Sequence, residues 1–448
     1  MFWISRWSGW ESTDVESSRQ HESHRFDKLG LGKENMQRQG NSDTPQQAEF
    51  REFCREWLAM NTPRQPEFQA VNSGIEIVTE AQLEYYSQWQ KSAYEAGLIG
   101  CDYPIKFGGG GRTGCQLVAN QEMLRAKTPP FAGAIGLGMA APVLFFHGSD
   151  DLKQRFLPKL FSGEELWCQG FSEPGAGSDL ASVQTTAVPK GKGKWVINGH
   201  KVWTSTAQFA RWMILLARTD RSDKYNGLTY FVVPIESELG KSVTVRPLIK
   251  MTGEAGFNEV LFDDLEIDDA YRVDEVGKGW AVAMTTLAHE RGAGALVSAV
   301  AGGQQKRATN QPDKTQYPLI RLARTCIRNG APAIEDPVIR DKVMAMLIRQ
   351  TAIKQHRRLR GVPSLADPQR LSLQDKLIGT EYTQDAAALA LEIEGSMGTL
   401  SHYDDQAPEQ GEWPLAYLSS FMGTIAGGTS EIQKNILGER VLGLAKSK

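Results

Sequence analysis

The hydrophobic period of this chain changes twice along its length, and that order restricts the folds open to it. From about Ala48 to Leu160, apolar residues such as Phe50, Phe53, Trp57 and Leu58 recur at three- and four-residue spacing, the pattern of amphipathic helices. Between Trp167 and Leu265 short runs take over, namely KWVING, RWMILLART, GLTYFVVPI, SVTVRPL and NEVLFDDLEI, separated by turns rich in Gly, Asp, Asn and Lys. Such spacing predicts a compact β-barrel or sandwich. After Gly277 and Gly279 the helical period returns with WAVAMTTLAHERGAGALVSAV and runs to the C-terminus, broken near Pro312 to Pro318 and near Pro363 to Pro368. A chain of 448 residues is too long for one core, so two or three packed lobes are expected.

The first 45 or so residues lack either period. Ser, Gln, Glu, Arg and His surround isolated aromatics such as Trp3, Trp7 and Trp10, a composition that predicts disorder. Glu11, Asp14, Glu16 and Glu22 argue against a transit peptide, no apolar core of a signal peptide is present, and Met36 is an alternative start. Further on, Pro104 and Gly108 to Gly111 mark a loop, and the small residues of GAIGLGMAAPVL either pack helices closely or line a ligand tunnel, close packing being the favoured reading.

Bulk composition excludes several classes. Lys+Arg of 50 against Asp+Glu of 53 gives a formal charge of -3, so no global field favours nucleic acid or an anionic membrane. Cys54, Cys101, Cys115, Cys168 and Cys326 form no Cys-x-x-Cys or paired framework, which predicts free thiols and a cytoplasmic setting. The seven histidines show no metal-binding spacing, and no apolar run approaches the roughly 20 residues of a membrane helix.

Chemistry concentrates in two neighbouring segments, WCQGFSEPGAGSDLAS from Trp167 to Ser182 and INGHKVWTSTAQFARW shortly after it. The first sets Ser172, Glu173, Pro174, Gly175, Gly177 and Ser178 in one short loop, which offers free N–H groups, hydroxyls and a carboxylate to a polar ligand. The second places the Trp203 ring beside the hydroxyls of Thr204 and Ser205, suited to lie against a planar ring system and hydrogen-bond its edge. Taken singly, each is more simply a turn of a β domain. Near the C-terminus, Gly427 and Gly428 precede Thr429 or Ser430 as a helix N-cap, and Ser430 with Gln433 has capping-box spacing. That turn either presents N–H groups to a ligand or is an ordinary capped helix.

Over Ala48 to Leu444 these segments resemble the acyl-CoA dehydrogenase flavoproteins. GFSEPGAGSD is similar to the family loop of type A-x-T-E-P-x-A-G-S-D, with Ser172 in place of threonine. NGHKVWTSTA is similar to N-G-x-K-x-W-I-T-N-A, NEVLFDDLEI followed by VGKGW resembles the edge of the family's β domain and the start of its central helix, and GGTSEIQ resembles its glycine-threonine turn. The resemblance implies a mainly α fold with a central β domain. Its expected parts are a disordered extension over 1–45, an N-terminal helical domain over 46–163, a β-barrel domain over 164–273 and a C-terminal four-helix bundle over 274–448.

The same resemblance implies FAD as cofactor and an acyl-CoA thioester as substrate, dehydrogenated to the 2-enoyl-CoA as in fatty-acid β-oxidation. Gln169, Gly170, Phe171, Ser172 and Ser178 then belong to the loop beside the isoalloxazine, with Ser172 at its pyrimidine edge and Ser178 also near the pantetheine. Trp203, Thr204 and Ser205 cover the ring, Ser205 near N5. Thr429 and Glu431 touch the cofactor from the helical side, although Glu431 stands where many relatives have glutamine. Gly427 and Gly428 flank the substrate.

Taking the proton next to a thioester carbonyl requires a positioned carboxylate whose basicity burial can raise. Many relatives place that glutamate directly before the glycine-threonine turn, where this chain has Gly427. Isovaleryl-type members use the central helix instead, immediately before an arginine, and LAHERGAG puts Glu290 and Arg291 there. Glu290 is the expected base, with Arg291 beside the substrate; a surface ion pair is the plainer alternative. Two departures concern the cofactor contacts across a dimer: GGQQKRATNQPDKTQ replaces the family's Arg-x-x-Phe-Gly element, and EIEGSMG, from Glu392 to Gly398, replaces Gln-x-x-Gly-Gly-x-Gly. The resemblance therefore implies a homodimer or homotetramer passing electrons to an electron-transfer flavoprotein, or else one half of a heterotetramer in which a partner completes the flavin site.

Overall fold

A computed structural model of the chain describes residues 43–68, 70–71, 73–290, 317–359, 368–401 and 404–445. Residues 1–42 of the extension expected over 1–45, Arg291 and the polar stretch after it lie outside the described residues. The first helical region comprises α1 (Pro45–Asn61), α2 (Glu80–Glu95), α3 (Cys115–Ala126), α4 (Ala141–His147) and α5 (Asp150–Ser162). Helix α1 starts at a reciprocal capping box between Thr44 and Gln47 and buries Phe50, Cys54 and Leu58, one face at four-residue spacing. Its polar side is clamped to α3, where Arg51 and Arg55 reach Glu122 at 2.8 and 3.0 Å. Before α4 the chain forms a π-helical turn, Gly136–Ala140. A Cβ at Gly136 would come within 3.2 Å of Leu160 and 3.3 Å of Trp167, whereas one at Gly138 would meet nothing within 4 Å. The small-residue segment thus packs closely at one glycine and opens onto space at the other.

The strands are β1 (Trp167–Gly170), β2 (Thr186–Gly191), β3 (Lys194–Ser205), β4 (Trp212–Arg218), β5 (Leu228–Pro234), β6 (Val243–Leu248), β7 (Phe257–Asp268) and β8 (Arg272–Val273). They join into one sheet of order β6-β7-β3-β2-β4-β5-β8, with β1 pairing parallel to β4. Strand β4 explains why RWMILLART reads as a continuous apolar run. Trp212, Ile214 and Leu216 face a core shared with the helices, while Met213, Leu215 and Ala217 face a second core. That second core holds Ile197, Phe231, Val233, Val260 and Leu265, residues of the sheet itself, as expected of a sheet curled around its own interior.

Helix α6 (Gly279–Glu290) leaves the sheet and packs on β5 and on α4. Beyond the undescribed stretch come α7 (Pro318–Thr325), the small ladder β9 (Ile327–Arg328) and β10 (Ala331–Pro332), then α8 (Pro337–Arg358), α9 (Pro368–Glu394), α10 (Glu412–Ile425) and α11 (Ser430–Ile436). Helix α9 is the centre of this group, packed against α8, α10 and α11. Leu322, Ile339, Val343, Leu389, Ala390 and Ile393 form its core. All five cysteines are unpaired, four of them buried. No described helix is long and apolar enough to cross a membrane, and no metal-binding group of three or more His, Cys, Asp or Glu occurs among the described residues.

Candidate active site

Strand β1 carries Gln169, half-buried, and ends at Gly170, after which the chain turns out of the sheet. Residues Glu173 to Ala176 form a tight turn closed by reciprocal backbone bonds: the Glu173 N–H donates to the Ala176 carbonyl at 2.9 Å and the Ala176 N–H to the Glu173 carbonyl at 3.0 Å. Pro174, Gly175, Gly177 and Ser178 are exposed. The loop is fastened to β3 by the Val202 N–H, which donates to the Ser172 carbonyl at 2.9 Å. Beside that bond the Lys201 ammonium donates to the Phe171 carbonyl at 2.9 Å and to Glu173 Oε1 at 2.8 Å. Burial pulls Lys201 below its ordinary value. Burial also opposes ionisation of Glu173, but Lys201 and neighbouring N–H donors outweigh it and hold that carboxyl below the usual range. Gly199 is needed on β3 for close approach, because a Cβ there would lie 2.3 Å from Thr185 Oγ1.

The pairing of β3 with β7 slips between Lys201 and Thr204. This bulge turns Trp203 outward with φ of 58° and 62 % exposure, its ring edge-on to Phe257 at 5.9 Å. A left-handed backbone at a bulky residue costs about 1–2 kcal/mol and is typical of functional surfaces that the surroundings over-determine. Asn258 supplies part of that constraint by donating to the Thr204 carbonyl at 3.1 Å and to Gln208 at 2.6 Å. Thr204 and Ser205 next to it are buried, and the Thr204 hydroxyl has no hydrogen-bond partner among the described residues.

A second group forms where α6 ends. Glu290 is half-buried, and a Cβ built on Gly427 would lie 3.6 Å from its Oε1. Gly427 itself has φ of 66°. Gln433 Nε2 donates to the Gly427 carbonyl at 2.8 Å and Lys376 Nζ to the Gly428 carbonyl at 2.5 Å, so both carbonyls of the turn are held from behind. Thr429 is the N-cap of α11, accepting from the Ile432 N–H at 3.3 Å. The capping box expected from Ser430 and Gln433 does not form, because the N-cap is Thr429 and Ser430 is already the first helical residue. Ser430 is buried, and its hydroxyl has no partner among the described residues. Glu431 is exposed, its carboxyl held below the usual range by its own amide N–H and the Thr429 hydroxyl.

The two groups are connected through β5. Phe171 meets the Tyr230 ring edge-on at 5.9 Å, and the Tyr230 hydroxyl is 2.9 Å from that of Thr286, one helical turn before Glu290. Helix α6 is also tied by Thr285, whose hydroxyl is 2.8 Å from His147 Nε2 while His147 Nδ1 lies 2.9 Å from Asp274. His289 Nδ1–H donates to the Thr285 carbonyl at 2.8 Å, and burial pulls its imidazole below the ordinary value. Ser172 is thus brought to the base of the Trp203 to Ser205 wall, and Glu290 to Gly427. Ser178 stands exposed beyond the turn. Sequence reading missed the roles of Lys201, Tyr230, Thr286 and His147. One signal was available: Lys201 falls on the strand positions that bury Trp195 and Ile197, where a cation needs a reason.

Helical regions before and after a curled sheet, with a glycine-rich loop fastened to the strand that carries an outward tryptophan, are the arrangement of an acyl-CoA dehydrogenase, and the chain belongs to that family. The family's N-terminal domain model matches residues 44–164, its middle domain 168–267 and its C-terminal domain 277–442. Among curated relatives, the acyl-CoA dehydrogenase IpdE1 of Mycolicibacterium smegmatis is 36% identical over 411 residues, covering 89% of this chain and 98% of that protein. Two solved structures share the fold at 24% identity. One is described as the Tcur3481-Tcur3483 steroid ACAD, with a TM-score of 0.66 over 91% of this chain and 99% of that one. The other is the ChsE4-ChsE5 complex from Mycobacterium tuberculosis, with a TM-score of 0.64 over 91% and 100%.

Members of this family are FAD-dependent flavoproteins. The residues present fit that group: the open Trp203 ring offers a plane, and Thr204 and Ser430 each hold a buried hydroxyl that no described residue satisfies. Such orphaned groups are rare in native proteins unless something else completes them.

Proposed function

We propose that the chain catalyses α,β-dehydrogenation of an acyl-CoA thioester with Glu290 as the base that removes the α-proton. The observation that carries this reading is the approach of the Glu290 carboxylate to the space beside Gly427. A carboxylate reaching that space from α6 makes one borne by residue 427 unnecessary. FAD, when bound, supplies the hydride acceptor. Ser172, Thr204 and Ser205 are the hydroxyls available to orient it, Trp203 shields a face from water, and Thr429 with Glu431 borders it from α11. Ser178, Gly427 and Gly428 border the thioester, and Arg291 follows the base in sequence. Electrons pass on to an electron-transfer flavoprotein from a homodimer or homotetramer. Anaerobic titration of the flavin-loaded protein with an acyl-CoA tests the reading: the flavin bleaches in the wild type, whereas Glu290→Gln retains FAD without bleaching. Retained turnover in that variant refutes Glu290.

A second reading is supported by the EIEGSMG segment. Glu392 and Ser396 stand there where the family pattern offers a glutamine and a glycine to a neighbouring subunit's cofactor, and between them Glu394 lies buried with neither carboxylate oxygen bonded among the described residues. A chain altered in this way suits one half of a heterotetramer, and two solved relatives of the same fold are described by two components. Purified alone, such a chain is colourless and takes up flavin only with its partner. For substrate, a glycine facing the base leaves volume for a branched or ring-bearing acyl group. Comparison of kcat/KM across straight, branched and cyclic thioesters decides it, and preference for straight chains counts against it.

A further inference from the structure

We propose that the buried Lys201–Glu173 pair is a positioning device: it sets the register between the Phe171 to Ser178 loop and the Val202 to Ser205 end of β3, and thereby the affinity of the site for FAD. The proposal rests on reading those two segments as the wall of the flavin site. The Lys201 side chain has no exposed surface and that of Glu173 keeps only 7 %. Burying two charges is costly even when they pair, and an apolar pair of the same volume often serves stability as well or better. What the charges add is a set of fixed attachments. Lys201 holds the Phe171 carbonyl and Glu173 Oε1. The same Oε1 accepts the Thr185 N–H at 2.9 Å, and Oε2 accepts the Gln184 N–H at 2.6 Å. One pair therefore joins the start of the loop, its turn and the approach to β2 to a single point on β3.

Phe171 and Ala176 anchor the loop in the core shared with the helices, but the segment around them is open. A Cβ at Gly175 or Gly177 would meet nothing within 4 Å, and both residues are exposed with Pro174 and Ser178. Among the described residues the backbone bond across the joint is that from Val202 to Ser172, followed at once by the left-handed Trp203. A one-residue slip there would carry Ser172 away from the wall and reverse the facing of Trp203 and Thr204.

The test uses the full chain as wild type, Lys201→Met, and the double variant Glu173→Gln/Lys201→Met, which removes both charges at once. Three quantities are measured: thermal stability without FAD, residue-resolved amide exchange, and FAD affinity by quenching of the fluorescence of added FAD. Lys201→Met alone loses stability because it strands a buried carboxylate. In the double variant FAD-free stability returns towards wild type, yet the Val202 and Ala176 amides exchange faster than their surroundings and FAD binds about tenfold more weakly, an effect of the size seen when a ligand's supporting partners are removed. Glu173→Asp, which keeps the charge but shortens its reach, shows the same local exchange signature. Wild-type exchange and FAD affinity in the double variant overturn the proposal. Faster exchange spread evenly through the sheet, in step with lost stability, also overturns it, by making the pair a general support. A wild-type chain that takes up no FAD instead overturns the flavin-wall reading, and the exchange data still decide the register.

Discussion

The carboxylate of Glu290 and the bare backbone of Gly427 are complementary: a Cβ on the glycine would lie 3.6 Å from Oε1, in ordinary contact. Two positions far apart in the chain therefore address one volume. If the volume is where the base must act, moving the carboxylate across it should preserve part of the activity. Glu290→Gly should lower kcat by about 10²–10⁴-fold. Adding Gly427→Glu to that variant should recover a measurable share despite the strain of a left-handed glutamate, about 1 kcal/mol. Failure of the double variant to exceed the single one in steady-state turnover would count against a shared site.

Trp203 separates stability from binding. Its φ of 58° costs free energy that glycine would not incur. Trp203→Gly is expected to leave the FAD-free chain as stable as wild type or up to about 1 kcal/mol more stable, measured by urea unfolding. The same change should weaken FAD about five- to tenfold, the loss of one aromatic contact. A parallel loss of both properties would mean that the indole is a structural element.

Glu394 makes stability fall as pH rises. Burial, reinforced by Glu409, pushes its carboxyl up to about 7 from an ordinary 4.5. With the folded value above the unfolded one, the folded chain binds the extra proton; the contribution is fully present below 4.5 and is lost as pH climbs through 7. Glu394→Gln should therefore lie close to wild type at pH 5 and exceed it at pH 8 by about 1–3 kcal/mol, a rise of about 1–3 °C in Tm for a chain of this length. An equal shift at both pH values would refute protonation as the cause.

Glu122 works in the opposite sense. Burial opposes its ionisation, but Arg55 and Arg51 prevail and hold the carboxyl below its ordinary value. Its contribution is present above the unfolded value and is lost as pH falls through the folded one. Glu122→Gln should weaken the contact of α1 with α3 at pH 7 and reduce the acid sensitivity of the first helical region, read from amide exchange at Cys54 and Leu58 between pH 3 and 7.

Much of this was legible in residue order. Periodicity marked the change from helices to strands near Trp167 and back near Gly279, because burial on one face imposes spacing locally. The Glu290 and Gly427 positions were found by motif, and their proximity in space emerged only from the fold. What stayed hidden depends on partners distant in sequence. The bulge that turns Trp203 outward is a mismatch between β3 and β7, the link from Phe171 to Thr286 runs through Tyr230 on a third strand, and the amide of Gln433 reaches back to the carbonyl of Gly427 on the preceding turn.

Strand β4 divides its side chains between two cores, with Met213, Leu215 and Ala217 inside the sheet and Trp212, Ile214 and Leu216 beneath the helices. Cut free of its neighbours, the middle segment would keep a filled interior and still present a greasy outer stripe to water. The three parts are thus neither one indivisible body nor separable modules. They are bound as a book is to its cover, and any substitute for the helices lying on that stripe has to fit Trp212, Ile214 and Leu216.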